Sequence, residues 1–139
     1  MTLEKAIEIA LSAHKNQIGK DGKPYILHPL RVMLQMDTEV EQIAAVLHDV
    51  LEDSDLNSFS LAERGASQEI LTVLDYLTHR ENESYAEFIL RVMQNPAAKK
   101  IKLATLRDNM DLRRLPEVTE EDFARYRKYE KAYKLLTEE

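Results

Sequence analysis

The stretch His48-Asp49-Val50-Leu51-Glu52-Asp53 carries more potential chemistry than any other in this chain, and it follows the apolar run Ile43-Ala44-Ala45-Val46-Leu47. On a helix, His48 and Glu52 are four residues apart, Asp49 and Glu52 three, and Asp49 and Asp53 four, so these side chains occupy neighbouring faces. Three carboxylates packed there, with Asp55 just beyond, repel one another. At the end of a helix the dipole also disfavours negative charge. A bound cation removes both conflicts, and imidazole with carboxylate is a good donor set for a divalent transition metal. The competing reading is a solvated helix end that needs no ion.

Two further stretches have the residue types to join such a site. In Gly22-Lys23-Pro24-Tyr25-Ile26-Leu27-His28-Pro29, Pro29 biases His28 away from the helical region. That fixes the backbone where a helix begins and aims the imidazole of His28 inward; a capping histidine is the alternative. Lys20 and Lys23, in the flexible loop before it, are natural anion contacts. In the third stretch, Ile101, Thr105, Asp108, Asn109 and Leu112 form one helical stripe with a polar centre. A plain core helix does not show such a centre, although a solvent-facing stripe does.

The elements that must position these groups read as helices. Glycine (3) and proline (4) are scarce, so turns are few and segments long. Apolar residues at helical spacing predict a helix over Leu3 to Gln17, broken by residues 19–24, and another over Tyr25 to Met36. Thr38-x-x-Glu41 is a capping box opening a helix through Glu52. Asp53 to Ser60 reads as a loop, and Ser60-x-x-Glu63 as a short helix ended by Gly65. Ser67 caps a helix to His79, and Ser84-x-x-Glu87 caps one to Gln94. Asn95-Pro96 opens a helix to Arg113, and Thr119 caps the last, after Pro116. No segment alternates with period two. The expectation is one compact all-α domain, residues 1–139, of seven or eight helices.

Composition narrows the function classes. With 19 basic and 25 acidic residues the net charge is −6, which argues against nucleic acid and anionic membranes as partners. There are no cysteines, so thiolate metal sites and cysteine nucleophiles are excluded. Met1-Thr2-Leu3-Glu4-Lys5 lacks the pattern of a signal peptide, and cytoplasm is the expected location. Several other features read as structural. His14 reads as an inward histidine and His79 as one at a helix end. Ser84 to Phe88 reads as a cap with core aromatics, Lys99-Lys100-Lys102 as a solvated face, and Tyr126 to Tyr129 as packing.

Taken together, HDxxED, the upstream PYxxHP and the downstream KLAxxxxN resemble the HD-domain metal-dependent phosphohydrolases. Within them they resemble the hydrolase domain of the (p)ppGpp synthetase/hydrolases and their small stand-alone relatives. Ala13-His14-Lys15-Asn16-Gln17 is similar to the family's AHxxQ, so the likeness covers most of the chain. It implies an HD-type helical fold, with metal ligands at His28, His48 and Asp49 and catalytic acidic residues at Glu52 and Asp53. It also implies Mn²⁺ as the usual metal, Asn109 as a nucleotide contact and Lys20 as a basic position on the substrate side. No stretch resembles a synthetase, so alarmone synthesis is not expected.

Two positions depart from the family pattern. Where the motif reads KLAD, with Asp as a fourth ligand, this chain has Thr105. A neutral hydroxyl is a poor replacement for a carboxylate on a hard cation; Asp108, one turn on, is the candidate substitute ligand. Gly19 stands where the alarmone hydrolases carry an arginine that stacks on guanine, a contact glycine cannot make. The leading expectation is a metal-dependent phosphohydrolase of a nucleotide, first of all a (p)ppGpp 3′-pyrophosphohydrolase. The alternative is a degenerate HD domain that binds a nucleotide or a protein without catalysis because of Thr105. A plain helical interaction module is the third reading.

Overall fold

Polar residues ahead of most of the apolar runs set the helix starts. The computed structural model describes residues 1–138. Among them it places α1 (Leu3–Ala13), α2 (Leu27–Leu34), α3 (Glu39–Leu47), α4 (Val50–Asp53), α5 (Ser58–Glu63), α6 (Gln68–Tyr76), α7 (Tyr85–Val92), α8 (Pro96–Asn109), a 3-10 turn at Leu112–Arg114, and α9 (Glu120–Thr137). Thr38, Ser84 and Thr119 form capping boxes, and Ser67 and Asn95 accept from the third helical N–H of their helices. Each such cap contributes about 1 kcal/mol. The short α5 is capped by Asn57, which accepts from Ser60 N at 2.9 Å, so the helix starts earlier than the Ser60 signal predicts.

The apolar run Ile43–Leu47 makes the second half of α3 hydrophobic on every side, which suits a central helix. Ala44, Ala45, Val46 and Leu47 are entirely buried, and α1, α2, α6 and α8 all pack on α3. Truncating a buried leucine such as Leu47 to alanine costs about 2–5 kcal/mol. The second hub is α8, whose Ala98, Ile101, Ala104 and Leu106 are buried and which packs on α2, α6, α7 and α9.

The helix expected to run from Thr38 through Glu52 is in fact two. His48 Nδ1 donates to Ala45 O at 2.5 Å, and His48 N bonds the same carbonyl at 3.4 Å. That carbonyl is the acceptor Asp49 N–H would use in a continuing helix. Asp49 therefore drops out at φ −101°, ψ −2°, and the chain restarts as α4. Asp49, Glu52 and Asp53 thus lie at and in the first turn of a new helix, not on the tail of the old one.

Pro29 also acts differently from expectation. His28 is itself helical, the second residue of α2, and Pro29 is the third. There the missing N–H costs nothing, because the first N–H groups of a helix have no internal partner. The loop over residues 18–24 is a closed hairpin. Ile18 and Pro24 pair antiparallel, Gly19 N donates to Lys23 O at 2.8 Å, and Gly22 turns at φ +81°. Lys20 rides on this turn. Among the described residues no helix is long and apolar enough to cross a membrane.

Candidate metal centre and cleft

The break between α3 and α4 brings His48 and Asp49 to the start of α2. His28, His48 and Asp49 each offer one ligand atom, and these atoms lie within 4.8 Å of one another. The two imidazole rings are 5.5 Å apart and nearly edge-on. Both histidines are 8% exposed, so the geometry belongs to the interior.

Each imidazole is held in a known tautomer by what its Nδ1 touches. The Ala45 carbonyl can only accept, so in the neutral imidazole His48 Nδ1 carries the proton and Nε2 carries the lone pair. His28 Nδ1 donates to Asp108 Oδ2 at 2.6 Å, which leaves its Nε2 as the free nitrogen. His48 Nε2 lies 3.1 Å from Asp49 Oδ2, and His28 Nε2 lies 4.0 Å from the same oxygen. His48 Nε2 is buried without a hydrogen-bond partner. A lone pair facing a carboxylate oxygen is repulsive unless a positive charge sits between them. Burial pushes the His48 imidazole down, but Asp49 outweighs it and the net shift is upward. His28 goes the other way, lowered chiefly by burial. Burial would also raise Asp49, yet His48 and the Tyr25 hydroxyl hold its carboxyl far below the ordinary range. Two outward lone pairs and one ionised carboxylate fit a divalent cation.

Asp108 is not among these converging atoms. It stands behind His28 and receives Arg31 Nε at 2.7 Å, Arg31 Nη2 at 3.0 Å and Arg114 Nη2 at 3.4 Å. Burial opposes its ionisation, but His28 and Arg31 hold the carboxyl well below the usual value. Both oxygens are committed, so its geometry is that of a partner orienting His28 rather than of a ligand. Thr105 lies one turn earlier on the same face of α8. It is 6% exposed, and its Oγ1 has no partner among the described residues, not even the carbonyl a turn back that a mid-helix threonine commonly uses.

Around the centre, Glu52 is at the solvent edge with its carboxyl raised by partial burial, by Asp49 and by Asp53. Asp53 is held by Gln17 Nε2 at 3.2 Å, and Gln17 Oε1 in turn accepts from His14 Nδ1 at 2.9 Å. His14 is 3% exposed, the inward histidine its surroundings predict. Rings of His14, Tyr25, His28 and His48 follow one another at 5.0, 5.8 and 5.5 Å, a continuous row that ends in the two candidate ligand histidines. His79 is remote from this row: it stacks on Phe88 at 4.9 Å and contacts Glu83 O.

His28 also lines a cleft of about 390 Å³ running toward α9. Lys20 and Asn109, the two expected substrate contacts, are both on its walls. Arg31, Arg114, Arg125 and Tyr129 join them there, and these four escaped the sequence reading. From the sequence, Tyr129 reads only as packing. Lys102 escaped as well: within the solvated face expected of Lys99-Lys100-Lys102, Lys100 pairs with Asp37 and with Glu41 at 3.2 Å, whereas Lys102 packs on aromatic rings.

No protein-family model matches the chain. A guanosine-3′,5′-bis(diphosphate) 3′-pyrophosphohydrolase of Aquifex aeolicus is 34% identical over 120 residues, which is 78% of this chain and 17% of that protein. The bifunctional (p)ppGpp synthase/hydrolase SpoT of Escherichia coli is 31% identical over 122 residues, again 78% of this chain and 17% of that protein. The chain thus spans about a sixth of the length of these curated relatives. Among solved structures, a metazoan orthologue of SpoT, described as hydrolysing ppGpp and playing a role in starvation responses, superposes with a TM-score of 0.77 at 25% identity. The match covers 97% of this chain and 85% of that one. Motif order, converging ligands, sequence similarity and superposition together identify this chain as an HD-domain protein with the fold of the (p)ppGpp hydrolases.

Proposed function

We propose that residues 1–139 act as one HD-type hydrolase domain that removes the 3′-diphosphate from a guanosine alarmone, in the cytoplasm where such nucleotides occur. The observation that carries this reading is the convergence of His28 Nε2, His48 Nε2 and Asp49 beside Glu52, at the end of a cleft lined by Lys20 and Asn109. The names of the relatives support the substrate class.

The metal we propose is Mn²⁺, held by His28, His48 and Asp49. When bound, it supplies Lewis acidity toward the phosphate and makes water a better nucleophile at neutral pH. The chain's own groups do the rest. Tyr25 donates to Asp49 and, with Asp108 behind His28 and Ala45 O behind His48, fixes the donor atoms. Glu52, whose carboxyl is raised toward the working range, takes the proton of the attacking water and returns one to the departing ribose 3′-oxygen. Asp53, anchored by Gln17, keeps the neighbouring charge in place. Water adds to the phosphorus next to the ribose, the 3′-O–P bond breaks, and ppGpp gives GDP and inorganic diphosphate. Lys20 and Asn109 hold the nucleotide.

The test is release of diphosphate from ppGpp with Mn²⁺. Glu52→Gln and His48→Ala are expected to lose at least 100-fold in rate, in keeping with the size of general acid–base contributions. Only His48→Ala is expected to lose metal as well. Full activity in both variants refutes the assignment. A shift in melting temperature with ppGpp but no turnover, in protein shown to hold the metal, favours the binder over the enzyme.

A further inference from the structure

Two lysines outside the cleft lining have no assigned role: Lys102, one turn before Thr105 on α8, and Lys128, next in sequence to the cleft residue Tyr129 on α9. Lys102, on α8, is half-buried, and its Nζ lies 5.2 Å from the Phe88 ring centroid and 5.8 Å from that of Tyr85. Lys128, on α9, places its Nζ 4.1 Å from the same Tyr85 ring. One aromatic ring at the start of α7 therefore gathers two ammonium groups from two other helices. Like charges so placed repel, and cation–π contacts offset only part of that cost. Among the described residues neither lysine forms an ion pair or a hydrogen bond to a carboxylate. Lys102 feels Asp49 and Glu52 as its nearest opposite charges. Burial lowers its affinity for a proton, as expected of a cation that has lost water without gaining a partner. The Tyr85 hydroxyl in the same group is also buried without a partner.

Unpaired cations next to a metal centre rich in carboxylates are suited to a polyanion. Asp49, Glu52 and Asp53 repel a diphosphate, and the cleft cations Lys20 and Arg125 lie on another wall. Lys128 is joined to Lys102 through the shared Tyr85 ring and precedes the cleft residue Tyr129 on α9, which links the two cationic groups. We propose that Lys102 and Lys128, gathered on Tyr85, form a diphosphate-binding subsite that holds the 3′-diphosphate over the centre while the rest of the nucleotide occupies the cleft. The role in hydrolysis rests on the function proposed above; the binding of diphosphate does not.

Inorganic diphosphate and GDP are titrated calorimetrically into the manganese-loaded full chain, as wild type, Lys102→Met and Lys128→Met. Methionine keeps the apolar stem packed on the rings, and Lys102→Arg serves as the charge-retaining control. Each methionine variant is expected to weaken diphosphate at least fivefold and GDP less than twofold, with Lys102→Arg recovering most of the loss. Unchanged diphosphate affinity in either methionine variant overturns the subsite. Equal weakening of diphosphate and GDP overturns it too, because that is a general loss of charge. Hydrolysis of ppGpp is read in the same samples. No hydrolysis by the wild type with selective loss of diphosphate binding rejects the hydrolase reading and upholds the subsite; hydrolysis with no selective loss does the reverse.

Discussion

Asp108→Asn separates a ligand from a residue that orients one. In the structure Asp108 accepts from His28 Nδ1 at 2.6 Å, from Arg31 Nε at 2.7 Å and from Arg31 Nη2 at 3.0 Å. Asparagine keeps the shape and one acceptor oxygen but loses the charge and turns an acceptor into a donor facing Arg31. Charge-assisted hydrogen bonds contribute about 1.5–3 kcal/mol each. Arg31 and Arg114 are each about a third exposed and can return to water, so the sum must be discounted. A net loss of about 2 kcal/mol follows, which in a domain of this size lowers Tm by roughly 6–10 °C. His28 keeps its tautomer, because the amide oxygen still accepts from Nδ1, but its Nε2 becomes less basic. Loss of such a supporting partner weakens metal binding about 10- to 100-fold, or roughly 1.4–2.7 kcal/mol. Titration calorimetry with Mn²⁺ and thermal unfolding without metal read the two effects separately. Abolished binding in a folded variant would return Asp108 to the ligand set; affinity within twofold of wild type would show that it does not act through His28.

Thr105→Asp places a carboxylate where a buried, unpartnered hydroxyl now lies. It is expected to tighten Mn²⁺ at least tenfold by titration calorimetry, and an unchanged affinity would mean the side chain does not face the donors. Acid should act on the same centre by two routes. His48 is raised above its ordinary value by Asp49, so protons compete with metal at a higher pH than for a free imidazole, and Mn²⁺ affinity should fall as the solution is acidified. Asp49 and Asp108 are depressed, so the stability they contribute is complete above about pH 4 and is lost as pH falls through their lower folded values. Urea unfolding without metal should therefore show wild type and Asp108→Asn converging in strong acid; a constant gap down to pH 2 contradicts the assigned charges.

Local chemistry made much of the architecture legible. Thr38, Ser67, Ser84, Asn95 and Thr119 announced helix starts because a side-chain oxygen three residues before an N–H acts through contacts a few ångströms long. The apolar run before His48 announced a central helix for the same kind of reason, since only complete burial satisfies it. The break at Asp49 was not legible. It depends on the His48 ring turning back to its own helix carbonyl, and packing decides that rotamer. Pro29 was expected to bias His28 away from the helical region at a helix entry, yet His28 is the second residue of α2, and the helix tolerates Pro29 because the N–H it lacks has no internal partner in a first turn.

Helical spacing was enough to mark His48, Asp49, Glu52 and Asp53 as one cluster, and the resemblance to the HD-domain phosphohydrolases added His28 to it. Where each remaining residue sits depends on contacts between segments distant in the chain. Asp108, one turn past the expected ligand position, became the carboxylate behind His28 because α8 packs on α2 and because Arg31 and Arg114 occupy its oxygens. Lys102 looked like part of a solvated basic run and turned inward because α7 and α9 close over that face of α8. Helix periodicity says which side chains share a face. Which face is covered, and by what charge, depends on the packing of helices that the local sequence does not encode.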